Sequence, residues 1–333
     1  MATYYGTYGQ KVQYLSADPP APQVGQVWYN YTSATLKVRS FTTSNTWTSG
    51  GNLLNVNTPT NDYLSYTGGF GTQDAAVCAG GYSPYTNQAQ KYNGTSWTST
   101  GNIPSSIGLF AVGGMGTQTA GLLAGGNPGP RTGSLEFDGS TWSSGGTLNT
   151  GRYWAGAAGL QTSGLIFGGE AVPGKTDATE SYDGTSWTTL PATTTVTNYG
   201  MGAGTQTAAL YFGGLPSSTQ SQKYNGSTWT NISNLNTGRY GAASFGIQTL
   251  ALCVGGNTNP SPGSTATEIF NGTSWTSSTA YPVTRQYMGG AGIPGGQGLA
   301  WGGDDAGGSP AAALNQTNEW NGTYEATKTV TVS

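Results

Sequence analysis

The amino-acid sequence predicts an all-β protein built from repeated four-stranded units. Three observations support this fold class: a low content of charged residues, an abundance of turn-forming residues, and two motifs that recur along the chain. Charged residues make up 8% of the 333 residues, against about 25% in ordinary soluble domains, so exposed helices held by i,i+4 ion pairs are disfavoured. The 56 glycines and the many Ser, Thr, Asn, Tyr and Trp residues suit short strands and tight turns.

The first motif is an apolar run that ends in two consecutive glycines. It recurs six times at intervals of about 42 to 47 residues, the length of a four-stranded propeller blade. Glycine pairs suit positive φ angles and close backbone approach near a crowded axis, so we expect each pair to end the second strand, b, of its unit. The first glycines of the six pairs are Gly80, Gly125, Gly168, Gly213, Gly255 and Gly302.

The second motif is an aromatic residue followed by Asn-Gly or Asp-Gly, two further residues and a Trp. Asn-Gly and Asp-Gly favour two-residue hairpin turns, so the motif predicts strand c, a tight turn and strand d. We expect the Trp on strand d to cover the face of the neighbouring unit. A sixth copy, Trp320-Asn321-Gly322, has Tyr324 in place of the Trp. The five Trp residues are Trp97, Trp142, Trp187, Trp229 and Trp275.

The order of double glycine, spaced aromatic and Trp resembles kelch-type repeats over roughly residues 50 to 325. The resemblance implies a closed β-propeller of four-stranded blades, in which small-residue runs form strand a and Gly-Thr-Gln-Thr makes the a–b turn. Residues 26–49 also match strands b, c and d, and residues 11–15 supply a strand a. The preferred interpretation is seven blades, the first divergent. The alternative is six blades plus a separate N-terminal clip.

The N-terminal segment carries a different motif, Gly-x-x-Trp-Tyr-Asn at residues 25–30, followed by Leu-Lys-Val at residues 36–38. It is similar to a short module of structural and tail-fibre proteins of marine tailed bacteriophages of the cyanophage type. The resemblance implies a virion structural protein, either a receptor-binding tail fibre or a capsid decoration, with other virion proteins and host-surface polysaccharide as partners. We expect residues 1–25 to be an extended attachment segment, 26–49 the divergent blade or fibre-like module, and 50–333 the six repeats.

Composition narrows the range of functions. Residues 1–10 lack a cationic region followed by an apolar stretch, and no run approaches the roughly 18 apolar residues of a membrane span; we expect synthesis in the host cytoplasm, exposure on the particle and no membrane insertion. A net charge of −3 without a basic run argues against a nucleic-acid partner. The absence of histidine argues against His-based catalysis, a metal site or a cofactor.

We expect a binding or structural role rather than an enzyme. Two alternatives stay open: a carbohydrate-active enzyme that uses loop acids such as Asp304, and a cellular kelch-type scaffold for protein interactions. No spacing of carboxylates supports a glycosidase pair. Cys78 and Cys253 both lie two residues before a double glycine, and we expect them to be buried, free and far apart.

Candidate binding residues lie on one face of the predicted disc. In a four-stranded meander the b–c loops and the d–a linkers emerge on the same face, and they carry most of the variation between repeats. Aromatic rings there stack on sugars, and Arg holds carboxylate or sulfate; alternatively, each Arg ties down the neighbouring backbone at a blade junction. The candidates are Arg131, Arg152, Tyr153, Tyr199, Arg239, Tyr240, Arg285 and Tyr287.

Overall fold

The computed structural model describes residues 12–20, 25–42, 44–54, 64–82, 86–104, 113–216, 218–258, 263–292, 296–305, 315–322 and 324–330. These residues form β-strands joined by turns and loops, and they contain no helix. The chain divides into two compact units. One spans Thr46–Trp320, and the other combines Met1–Asn45 with Asn321–Ser333.

In chain order the strands are β1 (Gln13–Leu15), β2 (Val27–Asn30), β3 (Thr35–Thr42), β4 (Thr46–Ser49), β5 (Gly68–Gly71), β6 (Ala76–Gly81), β7 (Thr86–Tyr92), β8 (Trp97–Thr100), β9 (Gly113–Thr117), β10 (Ala120–Ala124), β11 (Ser134–Phe137), β12 (Trp142–Ser144), β13 (Gly156–Leu160), β14 (Ser163–Phe167), β15 (Thr179–Tyr182), β16 (Trp187–Leu190), β17 (Met201–Thr205), β18 (Ala208–Phe212), β19 (Ser221–Tyr224), β20 (Trp229–Asn231), β21 (Ala243–Ile247), β22 (Leu250–Val254), β23 (Thr267–Phe270), β24 (Trp275–Ser277), β25 (Gly289–Gly292), β26 (Gln297–Trp301), β27 (Thr317–Asn321) and β28 (Tyr324–Val330).

The larger unit is a propeller of six antiparallel four-stranded blades, so the predicted all-β propeller is confirmed. Blades 1 to 5 are β5–β8, β9–β12, β13–β16, β17–β20 and β21–β24, and blade 6 is β25–β27 with β4 as its outer strand. The first strand of each blade contacts the first strand of the next, and β25 of blade 6 contacts β5 of blade 1. The six first strands therefore form a closed ring around a central channel.

The N-terminal strands form as predicted, but they do not make a seventh blade. β1 pairs in parallel with β2, β2 pairs with β3, and β3 pairs with β28 from the C-terminal end. β4, which we expected as strand d of that first blade, instead completes blade 6. The structure therefore has the alternative arrangement, six blades and a separate N-terminal sheet. The reason lies in the sixth repeat, which has no Trp after Asn321-Gly322; β4 supplies the Trp strand that completes blade 6.

Trp47 of β4 occupies the place that the motif Trp occupies in the other blades. Its ring lies 5.0 Å from that of Trp320, centroid to centroid, just as the ring of Trp187 lies 4.9 Å from that of Tyr182 in blade 3. The first and last parts of the propeller are thus joined through one sheet, which closes the ring noncovalently.

The hydrophobic core is divided among the blade interfaces. Six clusters of buried side chains each draw residues from two adjacent blades, and one of them joins blade 6 to blade 1. Trp187 illustrates the arrangement: it is 6% exposed and packs in a cluster with Met115 and Leu122 of blade 2. The prediction that the motif Trp covers the neighbouring blade is confirmed there. Cys78 and Cys253 are buried and free, in two different clusters, as predicted.

The Gly-Thr-Gln-Thr turns also join adjacent blades. The sequence predicted only that they connect strands a and b. Gln206 in the turn of blade 4 donates hydrogen bonds from Nε2 to the carbonyl oxygens of Gly164 (3.1 Å) and Tyr182 (2.7 Å) in blade 3. The glutamines at the same repeat position do the same to their own preceding blades. They are Gln118, Gln161 and Gln248.

Candidate functional site

The double glycines meet the d–a linkers at one end of the channel. Both glycines of each pair have positive φ angles, for example 63° at Gly168 and 100° at Gly169. The amide of Gly169 donates to the carbonyl oxygen of Thr197, in the linker that leads into blade 4, at 3.0 Å. A side chain on Gly169 would also meet the linker residue Ala155. The predicted role of the pair, positive φ and close approach, is confirmed, and it places the b–c loops and linkers together.

An inner ring of residues in the left-handed region lies at this end of the channel, each two positions before strand a of its blade. In blades 1, 3, 4 and 6 the residue is aromatic, with φ between 53° and 57°, and in blade 5 it is Gly241, with φ of 61°. We call this end of the channel the linker mouth. Its inner ring consists of Tyr66, Trp154, Tyr199, Gly241 and Tyr287.

Backbone hydrogen bonds connect these five residues into an arc. The amide of Tyr199 donates to the carbonyl of Trp154 (2.9 Å), that of Gly241 to Tyr199 (3.2 Å), that of Tyr287 to Gly241 (2.5 Å), and that of Tyr66 to Tyr287 (2.9 Å). Each inner-ring residue along the arc after Trp154 is thus held by a backbone hydrogen bond to the inner-ring residue of the preceding blade. The corresponding position in blade 2, residue 111, lies outside the described residues.

The four aromatic rings gather over the channel as two stacked pairs. The ring centroids of Tyr66 and Tyr287 are 4.1 Å apart with an interplanar angle of 20°, and those of Trp154 and Tyr199 are 3.8 Å apart at 23°. The pairs also touch each other, with Tyr199 5.9 Å from Tyr287 and 6.2 Å from Tyr66. All four side chains are half-buried. They line a cavity of about 170 Å³, whose remaining wall is largely glycine and alanine of the first strands.

The hydroxyls of Tyr66, Tyr153, Tyr199 and Tyr287 remain protonated at neutral pH. Burial raises the pKa of Tyr66 and of Tyr199, and it raises the pKa of Tyr287 to about 12. The negative charge of Asp304 contributes to the rise at Tyr66 and Tyr287. Burial and then the charge of Glu170 raise the pKa of Tyr153. These hydroxyls therefore act as neutral hydrogen-bonding groups, and the carboxylates Asp304 and Glu170 add negative charge nearby.

Four of the predicted site residues, all tyrosines, come together at the linker mouth. Tyr199 and Tyr287 belong to the inner ring. Tyr153 and Tyr240 lie one position earlier in their linkers and pack against the ring: Tyr153 is 4.4 Å from Trp154, and Tyr240 is 5.6 Å from Tyr199. Both are half-buried.

Two of the predicted arginines are used inside the protein. Arg152 is 0% exposed; its Nη2 is 2.5 Å from Oε1 of Glu180, and its Nη1 donates to the carbonyl of Ala178 at 2.5 Å. Arg239 repeats this arrangement in blade 5, with Glu268 at 2.5 Å. Burial lowers the pKa of Arg152, and the charge of Glu180 opposes this effect. Arg152 and Arg239 therefore hold the backbone at blade junctions, which is the second of the two roles considered for these arginines.

The other two arginines differ from this pattern. Arg285 is 4% exposed and donates to the carbonyl of Thr284 at 2.9 Å. Burial lowers the pKa of Arg285, and the charges of Tyr281, Asp305 and Asp304 oppose this effect. Arg131 is exposed and donates from Nε to the carbonyl of Pro128 at 3.0 Å. The structure therefore does not gather the four guanidinium groups into one surface.

Tyr66 and Trp154 were missed from the sequence. Both occupy the inner-ring position, two residues before the small-residue run of strand a, and so do Tyr199 and Tyr287. The repeated Arg-Tyr pairs at 152–153 and 239–240 drew attention to the position just before it. Aligning the repeats on strand a would have revealed the aromatic ring.

Polar side chains surround the aromatic ring and pair across adjacent blades. Asn198 in the linker to blade 4 donates from Nδ2 to Oε2 of Glu170, in the b–c loop of blade 3, at 2.6 Å. Asn257 donates to Oε1 of Gln286 at 2.6 Å in the corresponding place between blades 5 and 6. The linker mouth thus combines aromatic faces with fixed amide and carboxylate groups.

No protein-family model matches the chain, and a search of curated proteins found no significant match. Among the described residues there is no cluster of three or more Cys, Asp or Glu that could hold a metal ion. Within the same ranges, no helix is long and apolar enough to cross a membrane.

Proposed function

We propose that the protein is a binding protein rather than an enzyme, and that it binds its partner at the linker mouth. The observation that carries this proposal is the set of four aromatic residues held in the left-handed region at one repeat position. Gly241 forms the same backbone without a side chain. A bulky residue there costs roughly 1–2 kcal/mol, so aromatic residues at four such positions indicate a role beyond folding.

The surroundings of the ring support a preformed binding site. Backbone hydrogen bonds between linkers hold the inner-ring residues. The linkers that carry Arg152 and Arg239 are also held by the buried ion pairs of these arginines with Glu180 and Glu268. Side chains held in place before binding lose little entropy when a partner arrives. Half-buried aromatic rings offer both an apolar face and, in Tyr and Trp, a polar edge.

The proposed biological setting is the bacteriophage virion. It rests on the resemblance of residues 25–38 to the phage module, and we infer with it that the repeats are of the kelch type. In this setting the protein is a receptor-binding tail fibre or a capsid decoration, and its partners are other virion proteins and host-surface polysaccharide. Residues 1–25 are the proposed attachment segment, and only 12–20 and residue 25 of it are among the described residues.

Immunogold electron microscopy of purified virions tests this setting, with an antibody raised against the propeller. Label at the tail tips is expected for a receptor-binding protein, and label over the capsid for a decoration protein. Virions assembled with a truncated protein that lacks residues 1–25 should lose the label. The truncated protein itself should stay folded in solution. Virions without label would contradict the phage setting and leave the cellular scaffold as the better explanation.

A further inference from the structure

Two buried polar atoms at the linker mouth have no hydrogen-bond partner among the described residues. They are Nε1 of Trp154, a donor, and Oδ1 of Asn198, an acceptor. Asn198 is 3% exposed, and its Nδ2 is held by Glu170, so its oxygen is directed away from that carboxylate. Leaving a buried polar group unpaired costs roughly 1–3 kcal/mol. Trp154 lines the cavity of the linker mouth, whereas Asn198 does not, so the indole donor is the unpaired group that a ligand in the cavity can reach.

We propose that the ligand of the linker mouth is an uncharged saccharide, one of whose hydroxyl oxygens accepts a hydrogen bond from Trp154 Nε1. This inference rests on the proposed function, because it names the ligand class of the same site. A hydroxyl oxygen has two acceptor lone pairs, so it can accept the hydrogen bond that the indole N–H offers. The apolar face of the saccharide ring packs against the aromatic side chains.

The size of the cavity fits one sugar ring. Its volume is about 170 Å³, and an apolar cavity of about 150 Å³ is large enough to bind benzene. The remaining wall comes from glycine, alanine, Ser244, Thr67 and the two methionines Met201 and Met288. The first strands are the inner edges of their sheets, so backbone groups on that edge can hydrogen-bond a polyhydroxylated ligand. The carbonyl of Gly202 already accepts from Oγ of Ser244 on the neighbouring first strand, at 2.8 Å.

The charges near the ring disfavour an acidic saccharide. The negative charge of Asp304 raises the pKa of Tyr66 and Tyr287, and that of Glu170 raises the pKa of Tyr153. Both carboxylates are therefore close enough to the ring to repel a sialate, uronate or sulfate group. Arg152 and Arg239, whose forks would hold such groups, are fully buried against glutamates. Binding an acidic group with either of them would break a buried ion pair, which is strongly unfavourable.

A cationic ligand is also disfavoured, although aromatic rings with nearby carboxylates attract cations. A quaternary ammonium group has no lone pair to accept a hydrogen bond from Trp154 Nε1. The stacked pairs also have centroids only 4.1 Å and 3.8 Å apart, so no cation fits between the two rings of a pair.

The test uses the full chain on a glycan array. The array carries neutral oligosaccharides that end in galactose, glucose, mannose or N-acetylglucosamine, the same chains bearing sialic acid, uronic acid or sulfate, and spots of immobilised choline. We expect binding to at least one neutral chain, and at least tenfold weaker binding to its acidic counterparts. Isothermal titration with the best neutral oligosaccharide then gives its Kd for the unmodified protein and for variants.

Trp154→Phe removes the indole donor and keeps an aromatic ring, and we expect it to weaken binding of that oligosaccharide about tenfold. Trp142→Phe is the matched control: Trp142, on the outer strand β12, donates to the carbonyl of Gly101, so its loss should leave the Kd within twofold. Glu170→Gln should also leave the Kd for the neutral chain within threefold. If Trp154→Phe does not fold, the indole N–H resonance of Trp154 in the unmodified protein should shift on saturation with the oligosaccharide.

The outcomes separate the ligand class from the site. Preferential binding of acidic chains or of choline, weakened by Trp154→Phe, would overturn the uncharged-saccharide inference and leave the linker mouth as the binding site. Saccharide binding that Trp154→Phe does not weaken, with an unshifted Trp154 resonance, would overturn the site itself. Absence of binding to every spot would overturn the saccharide inference.

Discussion

Replacing Arg152 with Leu should destabilise the protein by about 4 kcal/mol. The guanidinium is fully buried and bonds Glu180, and it also donates to the carbonyls of Thr150 (3.1 Å), Gly168 (3.3 Å) and Ala178 (2.5 Å). Removing one partner of a buried ion pair costs roughly 3–5 kcal/mol, because the other charge stays buried without compensation. The lost hydrogen bonds to carbonyl oxygens place the expectation within that range.

Replacing both partners should recover about half of this loss. Blade 2 has Leu109 and Leu135 where blade 3 has Arg152 and Glu180: Leu135 is the second residue of β11 and is 0% exposed, and Leu109, which lies outside the described residues, precedes β9 by the same four positions as Arg152 precedes β13. The sequence thus already has leucine at both repeat positions in blade 2, and buried ion pairs are often replaced by apolar pairs at small cost. The double variant Arg152→Leu/Glu180→Leu should lose about 2 kcal/mol, since Glu180 also accepts from the amides of Asn149 and Thr150.

Urea unfolding followed by tryptophan fluorescence measures both variants, with the slope against urea held constant as the check of comparable unfolding. The exposed Arg131→Leu is the control and should change the free energy of unfolding by less than about 0.5 kcal/mol. A cost of less than about 1 kcal/mol for Arg152→Leu would refute the buried pair and return this arginine to the candidate ligand-binding residues.

Three further predictions test the fold. Gln206→Ala should cost about 1–3 kcal/mol in urea unfolding, because two carbonyl oxygens of the preceding blade lose their donor; an unchanged midpoint would refute the blade-joining role. Hydrogen bonds from Lys37, Asn30 and Trp28 lower the pKa of Asp18 to about 2, so the stability that it contributes is present above pH about 4 and is lost as the pH falls toward 2. NMR of the Trp28 indole should follow this loss, and Asp18→Asn should remove the dependence. Deleting residues 1–50, which include β4, should unfold blade 6, whereas deleting residues 1–45 should not; circular dichroism and protease resistance distinguish the two, and equal behaviour would contradict closure by β4.

Most of the propeller could be predicted because its signals are local and repeat. The double glycine at Gly168 and the Asp-Gly turn at Asp183 each need a particular backbone conformation, and Asp183 indeed accepts from the amides of Thr185 and Ser186 at 2.8 Å. Six copies of such signals fix the strand order and the face on which each loop emerges. The burial of Cys78 followed from the same register.

The blade count was harder to predict because β4 is compatible with two sheets. Residues 46–49 read equally well as the end of the N-terminal hairpin or as an outer strand elsewhere. The choice depends on long-range pairing with β27, which lies at the other end of the chain. The one sequence signal was the missing Trp after Asn321-Gly322, which Trp47 replaces.

The candidate site was predicted in part for a similar reason. The face was inferred from strand parity, and Tyr199 and Tyr287 were among the candidates. Arg152 is buried because it pairs with Glu180, 28 positions later, and such a long-range pair is not visible at either position alone. The sequence has Arg and Glu together at these two positions in blades 3 and 5, and that coincidence was the available signal.

Hydroxyl-radical footprinting, read by mass spectrometry, tests the central claim that the linker mouth is the binding site. The full chain is oxidised with and without polysaccharide extracted from the surface of the host cell. We predict that oxidation of Trp154, Tyr199 and Tyr287 falls in the presence of the polysaccharide, while oxidation of Tyr14 and Tyr31, which are 69% and 58% exposed in the N-terminal unit, stays constant. Protection confined to Tyr14 and Tyr31, with the mouth unchanged, would contradict the claim.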